Sequence, residues 1–67
     1  MCKNMKNRLQ ELRWNKDWSQ EQLSRRSGVS RKNIDNIENG VTQSPSVYTA
    51  LRLAKALSVL VEDIFIL

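Results

Sequence analysis

A chain of 67 residues has room for one small domain, because a domain of this size buries only about 60% of the surface that its unfolded chain exposes. Its composition is 40% apolar with two glycines and one proline, which excludes a disordered tail and a many-stranded β protein and favours an all-helical fold. The single cysteine, Cys2, excludes an internal disulfide framework, and the absence of histidine leaves no Cys/His cluster with metal-ligand spacing.

Targeting and catalytic signals are also missing from the sequence. The N-terminus "MCKNMKNRLQ" has no apolar region of the secretory type, and no run approaches the ~18 apolar residues of a membrane span. We therefore expect a soluble, cytoplasmic protein with no membrane, cofactor, metal or small-molecule ligand. An enzyme is not expected, because the only thiol is terminal and no carboxylate pair has a convergent partner.

The net charge of +4 is unevenly distributed. Residues 1–32 hold nine Lys and Arg against three Asp and Glu, a balance of +6, whereas residues 33–67 hold two against four, a balance of −2. This asymmetry predicts a basic face that suits a polyanion. On charge alone, an ordinary solvated surface explains the pattern equally well.

The first predicted helix runs from about Asn4 to Asn15. Its apolar residues Met5, Leu9 and Leu12 recur at spacings of four and three, with polar residues between them. Asp17 lies in the turn that follows. It can adopt the left-handed conformation that ends a helix, although less readily than glycine.

The second helix is predicted to begin at Ser19 and to run to about Ser27. Ser19 and Gln22 have the spacing of a capping box, in which each side chain accepts from the other residue's backbone N–H. Leu23 is the main residue expected in the core. Gly28 then stops the helix, since glycine has no Cβ to oppose a positive φ.

A third helix begins only two residues later, with Ser30 as its N-cap, and closes at the glycine of "ENG". Val29, Ile34 and Ile37 are expected to point inward. The fourth helix runs from about Val47 to Leu57 after Ser46 as its N-cap. Its predicted core stripe consists of Val47, Ala50, Leu51, Ala54 and Leu57. The run "VEDIF" predicts a short fifth helix.

The two tryptophans and the tyrosine divide into two groups. Trp18 precedes the cap of the second helix at an apolar position and is expected in the core. Trp14 and Tyr48 fall on outward faces of their helices, and we assign no role to Tyr48.

Two helices joined by a tight turn with glycine make a helix-turn-helix, which residues 20–39 fit. The runs "SQEQLSRRSGVSRKNIDNIENG", "SPSVYTALRLAKALSV" and "VEDIF" resemble the lambda-repressor-like helix-turn-helix family, of the Cro/repressor or xenobiotic-response-element type. The resemblance covers about residues 5 to 65.

This resemblance implies a compact all-α, five-helix domain over residues 1–67, with helices 2 and 3 as the helix-turn-helix. It implies a transcriptional regulator, in the first instance a repressor, that binds double-stranded DNA with helix 3 in the major groove. Such proteins usually bind a palindromic operator as a homodimer. The alternative is an antitoxin or a protein-interaction module that uses the same fold, with DNA binding secondary.

The predicted base-reading residues are Arg31, Lys32 and Asn36, which face outward on helix 3 once its isoleucines are buried and match the family's base-reading positions. Arg and Lys suit guanine O6 and N7, and Asn suits adenine. Each can instead contact a phosphate or remain a solvated side chain. Asp35 lies one turn after Arg31 and is expected to orient it through an i,i+4 pair.

The predicted phosphate-binding residues are Gln20, Ser30, Asn33 and Thr42. Helix N-termini present backbone N–H groups and a positive dipole end to an anion. Gln20 lies where the family commonly contacts a phosphate, although it can also be a plain exposed residue of the first turn. Ser30 and Asn33 flank the start of helix 3. Thr42 is the predicted phosphate contact if the loop "VTQSPS" binds DNA.

The resemblance also implies a largely buried ion pair between Arg13 and Glu38, with two solvated charges as the alternative. Asp17 and Ser58 stand where the family usually has glycine. Leu60 stands where a capping Ser or Thr is common, at a cost of about 1 kcal/mol.

The C-terminal tail is more apolar than one short helix can bury, and an exposed patch of that kind marks a partner site. We therefore predict a homodimer through Leu60, Ile66 and Leu67. The alternative is that the tail folds back onto Met5 and Leu9.

Overall fold

The computed structural model describes residues 6–41 and 46–66. Thr42 and Leu67, which carry a predicted phosphate contact and a predicted dimer contact, lie outside these ranges. In chain order the elements are β1 (Lys6–Asn7), α1 (Leu9–Asn15), α2 (Gln20–Ser27), α3 (Arg31–Glu38), α4 (Val47–Leu57), α5 (Val61–Ile64) and β2 (Phe65–Ile66).

The two ends of the described chain pair with each other. Strand β1 pairs with β2 in antiparallel register, with Lys6 opposite Ile66 and Asn7 opposite Phe65. The backbone N–H of Arg8 donates to the carbonyl of Ile64 over 2.7 Å. The prediction of helix over residues 6–8 is therefore wrong. The backbone of these residues forms hydrogen bonds with residues 64–66 instead of the hydrogen bonds of a helix.

Asn7 helps to decide where α1 begins. Its Oδ1 accepts from the backbone N–H of Leu9 over 3.1 Å, as in an Asx turn, and so satisfies one of the free N–H groups at the start of the helix. Its Nδ2 donates to the carbonyl of Ile37 over 2.9 Å. The Asn7 side chain thus lies between β1 and α1 and also contacts the backbone near the end of α3.

A single cluster of buried side chains joins all five helices. It consists of Leu9, Leu23, Val29, Ile34, Ile37, Leu53, Ala54, Leu57 and Ile64. Trp18 is half-buried and packs against this cluster. The inward positions predicted for α2, α3 and the turn between them are confirmed.

The buried face of α4 differs from the predicted one. Ala50, Ala54 and Leu57 are buried as expected, but Leu53 joins them and Val47 and Leu51 are exposed. Residues 50, 53, 54 and 57 already complete one face of a helix. A helix turns by roughly 100° per residue, so Leu51 lies well round from Ala50.

The predicted helix ends carry their predicted caps. The hydroxyls of Ser19, Ser30 and Ser46 accept the backbone N–H groups of Gln22, Asn33 and Thr49, respectively. Gly28, Asp17 and Ser58 all have positive φ, at 77°, 58° and 59°. Asp17 and Ser58 therefore adopt the conformation that the family's glycines favour, at some cost in strain.

The N-terminus of α5 has half of a capping box, although its N-cap residue is a leucine. Leu60 is the N-cap and has no side-chain acceptor for the free N–H groups of the helix. The carboxylate of Asp63 accepts from the Leu60 backbone N–H over 3.0 Å, which is the other half of a capping box.

No helix within residues 6–41 and 46–66 is long and apolar enough to cross a membrane. In the same ranges, no three His, Cys, Asp or Glu side chains come together as metal ligands.

Candidate nucleic-acid interface

The turn between α2 and α3 is built from local hydrogen bonds. The Gly28 N–H donates to the Ser24 carbonyl over 2.9 Å and closes α2. The buried hydroxyl of Ser27 accepts from the Val29 N–H over 3.1 Å, and Ser30 then caps α3 in an extended conformation. Three residues therefore separate two capped helices, as the sequence predicts for a helix-turn-helix.

The first turn of α3 is open to solvent. Arg31, Lys32 and Asn33 are exposed, whereas Ile34 and Ile37 are buried at 0% and 2% exposure. Across residues 6–41 and 46–66, no carboxylate forms an ion pair with Arg31 or Lys32. The start of α3 thus presents two unpaired cations.

Asn36 is half-buried on α3. Its backbone carbonyl accepts from the Val41 N–H over 2.8 Å as the chain leaves the helix. Only part of its side chain is therefore open to a ligand.

Asp35 does not pair with Arg31, contrary to the prediction. Its Oδ1 accepts from Gln20 Nε2 over 3.2 Å and from Asn39 Nδ2 over 3.1 Å. The competing donors come from α2 and from the residue after α3, and Arg31 is exposed. A spacing of four residues on one helix allowed the predicted pair but did not require it.

Gln20 is more engaged than an exposed first-turn residue would be. Its Nε2 donates to Asp35 on one side and to Glu38 Oε1, at 3.1 Å, on the other. A glutamine amide has two hydrogens to donate, and both are directed at carboxylates here. The side chain therefore connects the start of α2 to α3. The sequence did not indicate this role, because Asp35 and Glu38 lie 15 and 18 positions after Gln20.

Arg13 and Glu38 form a bidentate ion pair. Arg13 Nε lies 2.8 Å from Glu38 Oε2, and Nη2 lies 3.0 Å from Oε1. The remaining Nη1 donates to the Trp18 carbonyl over 2.9 Å. The two side chains are only 8% and 2% exposed, so the pair is almost fully removed from water while its polar atoms stay bonded.

The positive charge of the first half is partly neutralised by local pairs. Arg25 binds Glu21 over 2.7 Å and Arg8 binds Glu11 over 3.1 Å, and both pairs are exposed. The hydrogen bond that the Arg8 guanidinium donates to the Glu11 carboxylate raises the pKa of that guanidinium, which is positively charged in any case. The unpaired positive charge that remains is therefore concentrated in fewer places than the sequence alone indicates.

One of those places surrounds Trp18. The Arg26 guanidinium lies 4.6 Å from the centre of a Trp18 ring, and Lys16 Nζ lies 5.6 Å from it. Both distances are within the range of cation–π interactions, so two cations contact the half-buried Trp18 ring. Trp14, by contrast, is 60% exposed, in line with its predicted outward position.

The C-terminal residues are divided between the core and the surface. Ile64 is buried, and β2 folds back onto the N-terminal strand. This agrees in part with the alternative prediction, in which the tail folds back onto the N-terminal segment. Leu60 and Ile66 are nevertheless 64% and 40% exposed. Both side chains are therefore accessible to solvent.

Two capped helices joined by a short turn with glycine make a helix-turn-helix. The Helix-turn-helix family model matches residues 9–64. An uncharacterised HTH-type transcriptional regulator, YgzD of Bacillus subtilis, is 43% identical over 61 residues, which is 91% of each chain. Another, from Methanocaldococcus jannaschii, is 44% identical over 62 residues and 92% of each chain.

A solved structure is similar in fold as well as in sequence. It is the restriction-modification controller protein C.AhdI from Aeromonas hydrophila, which is 38% identical and superposes with a TM-score of 0.77 over 84% of this chain and 83% of that one. The present chain belongs to the helix-turn-helix family, a family of DNA-binding transcriptional regulators, and has its lambda-repressor-like five-helix fold.

Proposed function

We propose that this protein is a sequence-specific repressor of transcription that binds a palindromic operator as a homodimer, with α3 in the major groove. One observation carries the proposal. The start of α3 presents Arg31 and Lys32, exposed and without ion pairs in the described structure, on a helix that Ile34 and Ile37 anchor in the core. A rigid helix with free donors on its first turn suits base edges in a major groove.

Arg31, Lys32 and Asn36 are the proposed base-reading residues. Arg31 and Lys32 can donate to guanine O6 and N7, and Asn36 can bond to adenine. Because Asn36 is half-buried, the two cations of the first turn have the freer reach. Arg31 is the stronger candidate for a guanine contact, since its planar group donates in a fork.

The proposed phosphate contacts come mainly from helix starts. The Ser30 hydroxyl accepts from Asn33 N–H over 3.2 Å and keeps its own hydrogen for a phosphate oxygen. The Asn33 amide and Thr42 complete this set. Gln20 can donate its side chain to a phosphate only by giving up a carboxylate, so we assign the contact there to the free backbone N–H groups of α2.

The homodimer is proposed to form through Leu60, Ile66 and Leu67. The exposed apolar side chains of Leu60 and Ile66 support it, because water contact with them is lost when two copies meet. A two-fold dimer also gives a physical reason for a palindromic operator, since each α3 then reads one half-site.

Selection of bound sites from a random duplex pool tests this function. The expected result is a palindromic consensus with half-sites about one helical turn apart, bound with an affinity that falls linearly in the logarithm of the salt concentration. A reporter with the selected site across its promoter should then lose expression. Equal, weak binding to every duplex would contradict the proposal and favour the antitoxin or protein-interaction alternative.

A further inference from the structure

The outward face of α4 carries a group of side chains that the DNA-binding role does not use. Tyr48, Leu51, Arg52 and Lys55 line a shallow open groove of about 340 Å³. They are spaced at i, i+3, i+4 and i+7 and therefore share one face of the helix. Tyr48 is 65% exposed and Leu51 is 55% exposed, although the sequence pattern placed Leu51 in the core.

This groove, the α4 groove, combines the exposed apolar side chains of Tyr48 and Leu51 with the cations of Arg52 and Lys55. The sequence of α4, "VYTALRLAKAL", contains no acidic residue. Neither Arg52 nor Lys55 forms an ion pair within residues 6–41 and 46–66. The Arg52 guanidinium lies 4.6 Å from the centre of the Tyr48 ring, so a fixed cation stands directly beside the aromatic side chain.

Arg52 also connects the α4 groove to the helix-turn-helix. Its Nη1 donates to the Ser27 carbonyl, the last residue of α2, over 3.1 Å. A Cβ on Gly28 would lie only 2.5 Å from the same nitrogen. Any ligand that moves the Arg52 guanidinium therefore acts on the turn that positions α3.

We propose that the α4 groove docks an acidic, amphipathic helical segment of a partner protein. An apolar side chain of that segment packs between Tyr48 and Leu51, and its carboxylates pair with Arg52 and Lys55. The inference goes beyond the proposed function, because it concerns a separate face and a protein ligand.

The chemistry of the groove favours this partner over two other occupants, a second copy of the chain and a DNA backbone. A second copy would bring an identical cationic, acid-free face against the first, and like charges repel. A DNA backbone satisfies cations but offers no apolar surface to an exposed leucine. An acidic amphipathic helix meets both needs, since it supplies apolar anchors and charges of the opposite sign.

Nuclear magnetic resonance on the full-length, ¹⁵N-labelled chain tests the proposal. The probe is a capped synthetic helix-forming peptide with leucines at i and i+4 flanked by aspartates and glutamates. The matched control peptide has lysines in place of its acids. We expect saturable shifts at residues 48–55 and at Ser27 and Gly28 with the acidic peptide, and none with the basic one.

Variants locate the interaction. Leu51→Ser and Lys55→Gln each leave the Arg52 contact to the turn in place and should weaken the acidic peptide about tenfold, which corresponds to ~1.4 kcal/mol. Lys16→Gln removes an exposed cation elsewhere and should leave the peptide affinity unchanged. An unchanged thermal melt shows that each variant is folded.

Four results would overturn the proposal. They are the absence of saturable shifts, equal shifts with acidic and basic peptides, the same shifts with a DNA duplex alone, and the same shifts on raising the protein concentration alone. The third result assigns the face to nucleic acid, and the fourth assigns it to a second copy. None of them depends on whether the chain selects an operator, so failure here and failure of the proposed function are distinguishable.

Discussion

The side-chain amide of Gln20 lies 3.2 Å from the carboxylate of Asp35 and bridges the first turn of α2 to the middle of α3. The same amide nitrogen reaches Glu38, which is itself held by Arg13. The two helices of the helix-turn-helix are thus joined by polar contacts on one side and by the shared apolar core on the other. The angle between α2 and α3 depends on both.

A double-mutant cycle with Gln20→Ala and Asp35→Ala measures the first of these contacts. We expect a coupling free energy of about 0.5–1 kcal/mol in urea unfolding, because the hydrogen bond to a charged acceptor is made at an exposed site. The free energy of the separate hydrogen bond from Gln20 to Glu38 cancels in the cycle. Strictly additive effects would show that the contact contributes nothing to stability.

Glu38→Ala should lower the free energy of unfolding by about 3–5 kcal/mol, since it leaves the Arg13 guanidinium buried without its partner. Glu21→Ala is the matched control, because the Arg25–Glu21 pair is exposed and should cost less than about 1 kcal/mol. Chemical denaturation compares the two directly. Equal, small losses would mean that Arg13 and Glu38 are effectively solvated.

Arg31→Ala should cost about 1–3 kcal/mol of affinity for the selected operator and relax the preference at one base pair. The physical reason is the loss of a forked donor that a guanine requires. Lys55→Ala removes an exposed cation from α4 and should leave both affinity and preference unchanged. A uniform loss on all duplexes for Arg31→Ala would instead identify a phosphate contact.

Gly28→Ala should destabilise the fold for two separable reasons. Its φ of 77° is unfavourable for alanine, at about 1–2 kcal/mol, and the new Cβ would lie 2.5 Å from Arg52 Nη1. In an Arg52→Ala background only the first cost remains. Thermal or urea unfolding should therefore show a smaller loss for Gly28→Ala in that background, and equal losses would exclude the contact as a cause.

Leu60→Glu should shift the protein from dimer to monomer in sedimentation at micromolar concentration. Leu60 is 64% exposed, so the change adds a charge to the proposed interface without entering the core. Val41→Glu changes another exposed apolar residue, at 70%, and should leave the association unchanged. A wild-type chain that is strictly monomeric yet binds one half-site would contradict the dimer.

Features that depend on near neighbours were predictable from the sequence. The three serine caps, the left-handed turn at Gly28 and the inward isoleucines of α3 each involve residues within a few positions of one another. Their spacing therefore identifies them before the chain is folded. The order of the five helices and the family follow from the same local signals.

Apart from the Arg13–Glu38 pair, which the family resemblance implied, only the tertiary structure decided which distant groups meet. The pairing of β1 with β2, the engagement of Asp35 by Gln20 and the exposure of Leu51 all depend on how elements far apart in the chain pack. Periodicity shows that a helix has an apolar side, but α4 has more apolar residues than one face can hold. The packing of its neighbours decides which of them enter the core and which form the surface.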